Sequence, residues 1–252
     1  MLRTLVLMAG LGLLPKPAYA PPQPVSFVAS DGVNVFGDSY VAASPDAPVI
    51  LLFHQAGSGK SEYTPIAPRL VELGYSALAI DLRSGGDMYE PTNETVQHLG
   101  RSASDYRTVL PDMDAALAWV KKAHPHAPVY AWGSSFSAAL VFAFAAKHPH
   151  EIKAVIAFSP NEWIDQNKHF VRDAARRLTV PVFVDSAANA EEEREAKAIY
   201  DEVGSRDKVD YVPQNGTHGS STLRDDIDAS GSAENWDAVT RFLTHVTATS
   251  HG

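Results

Sequence analysis

The stretch "VYAWGSSFSAALVF" places Gly133-Ser134-Ser135-Phe136-Ser137 between an apolar run with strand character and an apolar run with helix character. A serine at the centre of such a turn is presented on a sharp corner, where its hydroxyl can act as a nucleophile. Small flanking residues are required because strand and helix backbones nearly touch there. The Gly-x-Ser-x-Gly pattern is met except at its last position, where Ser137 replaces glycine and is still small. Ser135 would also open a helix, whose positive end favours a developing oxyanion. The competing reading is a polar turn with a helix cap. His218 lies in the Gly-rich stretch "QNGTHGSS" after "KVDYV". Of the ten histidines, His124, His126, His148 and His150 are expected at helix ends beside prolines, where they complement the helix C-terminus.

A different chemistry is suggested by "HQAGSGKSE", residues 54–62, which follows the apolar run "VILLF". Its Gly59-Lys60-Ser61 tail is that of a phosphate-binding loop. The first glycine of that motif, however, falls on His54, whose side chain obstructs the tight backbone nest a phosphate needs. A nucleotide is therefore not expected. The net charge of -9 also argues against a sequence-independent nucleic-acid binder, which needs a basic face. No cysteine is present, so a disulfide, a thiolate metal site and a cysteine nucleophile are all excluded.

The elements that must position these residues alternate along the chain. "VSFVASDGVNVFGDSYVA" reads as two antiparallel strands turned at Asp31-Gly32, a two-residue hairpin signal. "APVILLF" is a buried strand, a helix follows from about Glu62 to Leu73, and "YSALAI" is the next strand. Residues 83–104 are polar without a clear period and are expected to form a functional or mobile loop. Tyr106 to Ala123 carries apolar residues at helical spacing, "PVYAW" is a strand, and "SAALVFAFAAKH" is a buried helix. "AVIAF" and "VPVFV" are strands, "AEEEREAKAIYDEV" an acidic helix, "KVDYVP" a strand, and Ala233 to Val246 a final helix. This rhythm predicts an α/β class with a mostly parallel sheet covered on both faces. With 45% hydrophobic residues, no internal repeat and no low-complexity linker, one domain over 21–252 is expected.

Residues 1–20 have the three-part pattern of a secretory signal peptide: Arg3, an apolar run Leu5 to Leu14, and Ala18-Tyr19-Ala20. Pro21 would follow the cut and opposes cleavage, so an uncleaved anchor is the alternative, and only then would a membrane be involved. Export, to a periplasm or beyond, is the expectation.

With Ser135 placed in its turn, residues 25–247 resemble the α/β-hydrolase family, in particular its small dienelactone-hydrolase-like serine esterases. The resemblance implies an α/β-hydrolase fold with an eight-stranded sheet. It also assigns a role to His54-Gln55-Ala56-Gly57: the family's corresponding loop supplies one backbone N–H of an oxyanion hole. Ala56 is the leading donor, with Gln55 next, and Phe136 supplies the second N–H. Lys60 and Ser61 then read as solvent-facing residues before the helix at Glu62. The family's triad order, serine, acid, histidine, makes His218 the base.

The acid departs from the family pattern. Asn189 occupies the place past "VPVFV" where a carboxylate normally lies. An amide can orient an imidazole but cannot stabilise its charged form. Glu162 and Glu191 could substitute, and Asp185 sits too close to its strand to reach over the sheet. Between Pro160 and Val180 there is no room for a large cap domain. The site should be open, with Trp163, Phe170 and Tyr89 as a possible apolar wall. Arg83 and Arg101 are available to an anionic substrate, as in dienelactone hydrolases. Acyl transfer from a small ester or lactone through Ser135, His218 and Asn189, without metal or cofactor, is the expected chemistry. The rival is a non-catalytic binding protein of the same fold with an incomplete triad, although a dead site needs neither Ser135 nor His218.

Overall fold

The computed structural model describes residues 20–103, 105–164 and 169–249. The leader pattern of residues 1–20 lies, apart from Ala20, outside these. Among the described residues no helix is long and apolar enough to cross a membrane. Eight strands form one sheet: β1 (Gln23–Val28), β2 (Asn34–Tyr40), β3 (Val49–Phe53), β4 (Ser76–Ile80), β5 (Val129–Ser134), β6 (Ile152–Phe158), β7 (Val182–Asp185) and β8 (Lys208–Tyr211). Their order is β1-β2-β4-β3-β5-β6-β7-β8, with β2 antiparallel to both neighbours and every other pair parallel. The expected mostly parallel, eight-stranded α/β arrangement is the one observed.

Side-chain alternation explains how both faces are covered. In β3, Val49, Leu51 and Phe53 enter one apolar cluster, while Ile50 and Leu52 enter the other. The first cluster is closed by α3 (Leu110–Ala123), α4 (Phe136–Lys147), α5 (Phe170–Ala175) and α6 (Ala190–Glu202). The second is closed by α1 (Ala67–Glu72) and α7 (Ser232–Thr249). There Trp132 stacks on Phe158 with ring centroids 4.9 Å apart.

Three local expectations are corrected. The β1–β2 turn is wider than two residues: Ala29 N–H donates to Val33 O and Gly32 N–H to Ala29 O, with Gly32 at φ 87°. Asp31 is drawn instead to Arg83. The helix expected from Glu62 is split into a 3-10 turn, Lys60–Tyr63, and α1. Residues 83–104 are not a featureless loop. They contain α2 (Glu94–Leu99), whose Asn93 cap accepts from Val96 N–H at 2.8 Å. A six-residue helix shows too little apolar period to be recognised from sequence. Between β6 and β7 the described residues hold only α5, so no large cap covers the site.

Parallel strands send their carboxyl ends to one edge, so the loops after β3, β5, β6, β7 and β8 meet there. Strand and helix approach closely at Gly133, where an added Cβ would lie 2.4 Å from the Ser137 carbonyl oxygen. Both partners are backbone, so neither can swing aside. Gly133→Ala is expected to lower stability by about 1–3 kcal/mol. Urea unfolding measures this, and an unchanged midpoint would refute so tight a packing.

Candidate active site

Ser135 stands between β5 and α4 with φ 58° and ψ -120°, a left-handed conformation unusual for a residue with a Cβ. Its N–H is held by Phe158 O at 2.9 Å. Ser137, where glycine was expected, donates from its hydroxyl to His54 O at 2.6 Å. The smallness required at this position is thus combined with a tie between the start of α4 and the loop after β3.

Ser135 Oγ lies 2.7 Å from His218 Nε2, and His218 Nδ1 lies 2.9 Å from Glu192 Oε2. A carboxylate only accepts, so Nδ1 carries the proton and Nε2 is open to the serine hydroxyl. Burial acts to raise the Glu192 pKa, but hydrogen bonds from His218 and Ser159, with the nearby imidazole charge, hold it down at about 2. The hydrogen bond to Glu192 in turn raises the His218 pKa above its ordinary 6.5, against the opposing effect of burial. Ser159, at φ 55°, accepts from Gly219 N–H at 3.0 Å and so links the end of β6 to the histidine loop.

Asn189 is therefore not the partner of His218. Its side chain caps α6, accepting from Glu192 N–H at 3.1 Å while its amide donates to Glu192 Oε1 at 3.2 Å. Glu192, one helical turn on, is the group that reaches the imidazole. The signal was present as Asn-x-x-Glu, a helix-start pattern that places Glu192 in the first turn of α6. Glu162 is engaged elsewhere, accepting from Val171 N–H at 2.8 Å at the start of α5. Glu191 is exposed on the rim. Asp185 is fully buried at the end of β7, and burial pushes its pKa well up.

The loop after β3, where an oxyanion donor was expected, borders the other side of Ser135. His54 is buried where a phosphate loop needs glycine. Its Nδ1 donates to Gln55 O at 2.7 Å and its Nε2 accepts from Leu82 N–H at 2.9 Å. Desolvation lowers its pKa to about 4, so it is neutral. The N–H of Gln55 donates to Glu62 Oε2 at 2.8 Å, which removes Gln55 as an oxyanion donor. Ala56 and Phe136 line the cleft beside Ser135, and the Phe136 N–H, at the first position of α4, has no intrahelical acceptor. Lys60 is not solvent-facing: Nζ lies 2.5 Å from Glu94 and 3.4 Å from Asp38. Ser61 is buried and donates to Tyr89 O at 3.0 Å.

The cleft encloses about 330 Å³. Trp163 lines it as expected, joined by Tyr106 and Ile164 rather than Tyr89 and Phe170. Tyr106 stacks on Phe136 at 4.5 Å. Tyr89 lies behind the loop, with its hydroxyl 2.8 Å from Ser221 Oγ, and Phe170 packs against the core. Arg83 is buried and paired with Asp112 and Asp31, and Arg101 lines a separate depression, so neither faces Ser135. Among the described lining residues the charged groups are Glu191, Glu192, Glu195 and His218.

Residues 44–224 match the family described as "Serine aminopeptidase, S33". That span exceeds half of the chain, and the protein belongs to this α/β-hydrolase family; it is a hydrolase of the α/β-hydrolase type. Among curated protein sequences nothing matches. Solved structures similar to it include a carboxyl esterase from Bacillus coagulans (13% identity, TM-score 0.72, 90% of this chain and 99% of that one). An esterase from Pyrococcus furiosus aligns at 17% identity and TM-score 0.68 over 90% of this chain and 91% of that one. A dienelactone hydrolase from Anabaena variabilis aligns at 14% and 0.69 over 90% and 99%.

The pair of shifted groups has a stability signature. Glu192, lowered in the folded state, contributes stability above its unfolded value of 4.5 that is lost as pH falls toward about 2. His218, raised, contributes stability present below 6.5 and lost as pH rises through its folded value. Glu192→Gln should flatten the acid loss and lower the His218 pKa in an NMR ring titration, while Glu162→Gln leaves that pKa in place. A His218 titration unmoved by Glu192→Gln would sink the pairing.

Proposed function

We propose that the protein is a serine hydrolase of carboxylic esters, acting through an acyl-enzyme on Ser135. The observation that carries this is the hydrogen-bonded run from Ser135 Oγ through His218 to Glu192, opening on a cleft beside the Ala56 and Phe136 amides. His218 Nε2 takes the Ser135 proton as Oγ attacks the ester carbonyl, and the oxyanion is held by the two amides. Glu192 stabilises the imidazolium, which then protonates the departing alkoxide. Water, deprotonated by the same imidazole, attacks the acyl carbonyl and releases the acid, returning the proton to Ser135.

A neutral, small acyl group fits the walls of Trp163, Tyr106 and Ile164. With Glu191 and Glu195 on the rim, and no lysine or arginine among the described lining residues, carboxylate-bearing esters are disfavoured. The rival of a non-catalytic binding protein rested on an absent acid, and Glu192 at His218 Nδ1 weighs against it. The pattern of Arg3, Leu5 to Leu14 and Ala18-Tyr19-Ala20 supports an exported enzyme.

Hydrolysis of p-nitrophenyl acetate and butyrate tests this, with aminoacyl p-nitroanilides assayed beside them because the family's description names aminopeptidases. Ser135→Ala and His218→Ala should each lower kcat by about 10⁴-fold or more, Glu192→Gln by about 10²- to 10⁴-fold, and Asn189→Ala far less. Because His218 must be neutral and its pKa is raised, kcat/KM should climb with pH to a midpoint above 6.5. Activity equal in wild type and Ser135→Ala would refute the assignment.

A further inference from the structure

Beneath the cleft lies a carboxyl group that the acyl-transfer scheme does not use. Glu62 is completely buried, yet it touches the loops that carry each part of the site. Its Oε2 accepts from Gln55 N–H at 2.8 Å, in the residue just before the Ala56 amide. Its Oε1 accepts from the Ser134 hydroxyl at 2.7 Å, in the residue just before the nucleophile. Ser134 Oγ also accepts from Ser220 N–H at 2.8 Å, two residues beyond His218. The Gln55 amide donates to Ser221 Oγ at 3.0 Å, and Arg224 Nη1 donates to Glu62 O at 3.3 Å. A buried carboxyl costs stability unless its oxygens are satisfied; here Gln55 and Ser134 satisfy them directly, and Ser134 carries the connection on to Ser220 in the histidine loop.

We propose that Glu62 is a positioning residue whose ionised carboxylate holds the oxyanion loop and the nucleophile turn, and through Ser134 the histidine loop, in their working register. The inference rests on the serine-hydrolase reading above. The charge state follows from the donors. Gln55 N–H can only donate, and the Ser134 hydroxyl, which accepts from Ser220 N–H, directs its own O–H at Oε1. Both groups donate to the carboxyl and so favour its anion, and protonation weakens these bonds, loosening the Ala56 side and the Ser135 side of the site.

The environment brings that protonation into the neutral range. Burial raises the Glu62 pKa to about 7, opposed by Gln55 N–H, Ser134 O–H, and the positive charges of Arg224 and His218. Tyr63 on its own turn is the further ionisable group that feels the Glu62 charge, while Arg224 is itself engaged by the Tyr89 ring and by Asp226. The Glu62 anion also favours the His218 imidazolium, so the two titrations are coupled.

Wild type, Glu62→Gln, Ser134→Ala and Ser135→Ala are compared on p-nitrophenyl butyrate across pH, with the His218 ring titration followed by NMR. In Glu62→Gln, kcat at pH 8 should fall by about 10- to 100-fold with KM changed by less than about twofold. The wild-type acid limb should be steeper than one proton, and that of Glu62→Gln a single-proton limb shifted to lower pH. The His218 titration should move down with it, because a neighbouring negative charge is gone. Ser134→Ala keeps the carboxylate if Glu62→Gln does not fold. It should lower kcat and move the acid limb upward, because a hydrogen bond favouring the anion is lost.

An active wild type whose kcat, acid limb and His218 titration are unchanged in Glu62→Gln overturns the role of Glu62 alone. So does a Glu62→Gln variant altered only in melting temperature. Should that variant not fold, unchanged kcat and acid limb in Ser134→Ala have the same consequence. A wild type that neither hydrolyses the ester nor is labelled at Ser135 by a fluorophosphonate overturns the hydrolase reading and this one together.

Discussion

Ser135 is held at φ 58° between a strand and a helix, and the rest of the site depends on that turn staying in place. A left-handed residue with a Cβ carries strain of about 1–3 kcal/mol, which surrounding contacts must offset. They do so with backbone and buried hydroxyls rather than with side-chain bulk. Ser135 N–H is fixed by Phe158, Gly133 brings β5 against α4, and Ser137 ties α4 to His54. Because the turn belongs to the central strands of an apolar sheet, the corner cannot relax without unpacking Trp132 and its neighbours.

Charge is organised around the same corner. One face of His218 meets Glu192, partly open to solvent, ionised and with a low pKa. Beneath lies Glu62, fully buried and raised by desolvation. The same functional group thus takes two characters from two environments, set by whether hydrogen bonds outweigh lost hydration. The strongly paired cations, Lys60 with Glu94 and Arg83 with Asp112, lie outside the cleft and fasten the segment between β4 and α3 to the turn after β3 and to α3 itself. The cleft itself is left acidic and aromatic.

Much of this was legible in the residues. Alternating apolar strands and helices specified a parallel sheet, because burial on both faces demands that pattern. The turn around Ser135 was recognisable from small residues at fixed offsets, and His218 from its Gly-rich loop after the last strand. The acid was misplaced at Asn189 because distance past a strand was used where helix geometry governs. Once Asn189 caps α6, its side chain faces the helix amides, and the residue one turn later faces the imidazole. Tyr89 and Arg83 were misassigned because a polar segment says nothing of which way it folds back. Its direction is set by Asp112, Asp31 and Ser221 from distant parts of the chain.

The sequence by itself determined the layered fold and the tight turn that carries Ser135, since these rest on local periodicity and on backbone positions that admit only small residues. Only the tertiary structure decided that Glu192 meets His218, that Gln55 turns its N–H inward, and that Glu62 meets Gln55, Ser134 and Arg224. Such long-range hydrogen bonds have no local signature: a glutamate before a helix reads the same whether it ends in water or in the core. Its partners, Gln55, Ser134 and Arg224, converge on it only when the parallel strands bring their carboxyl ends to one edge.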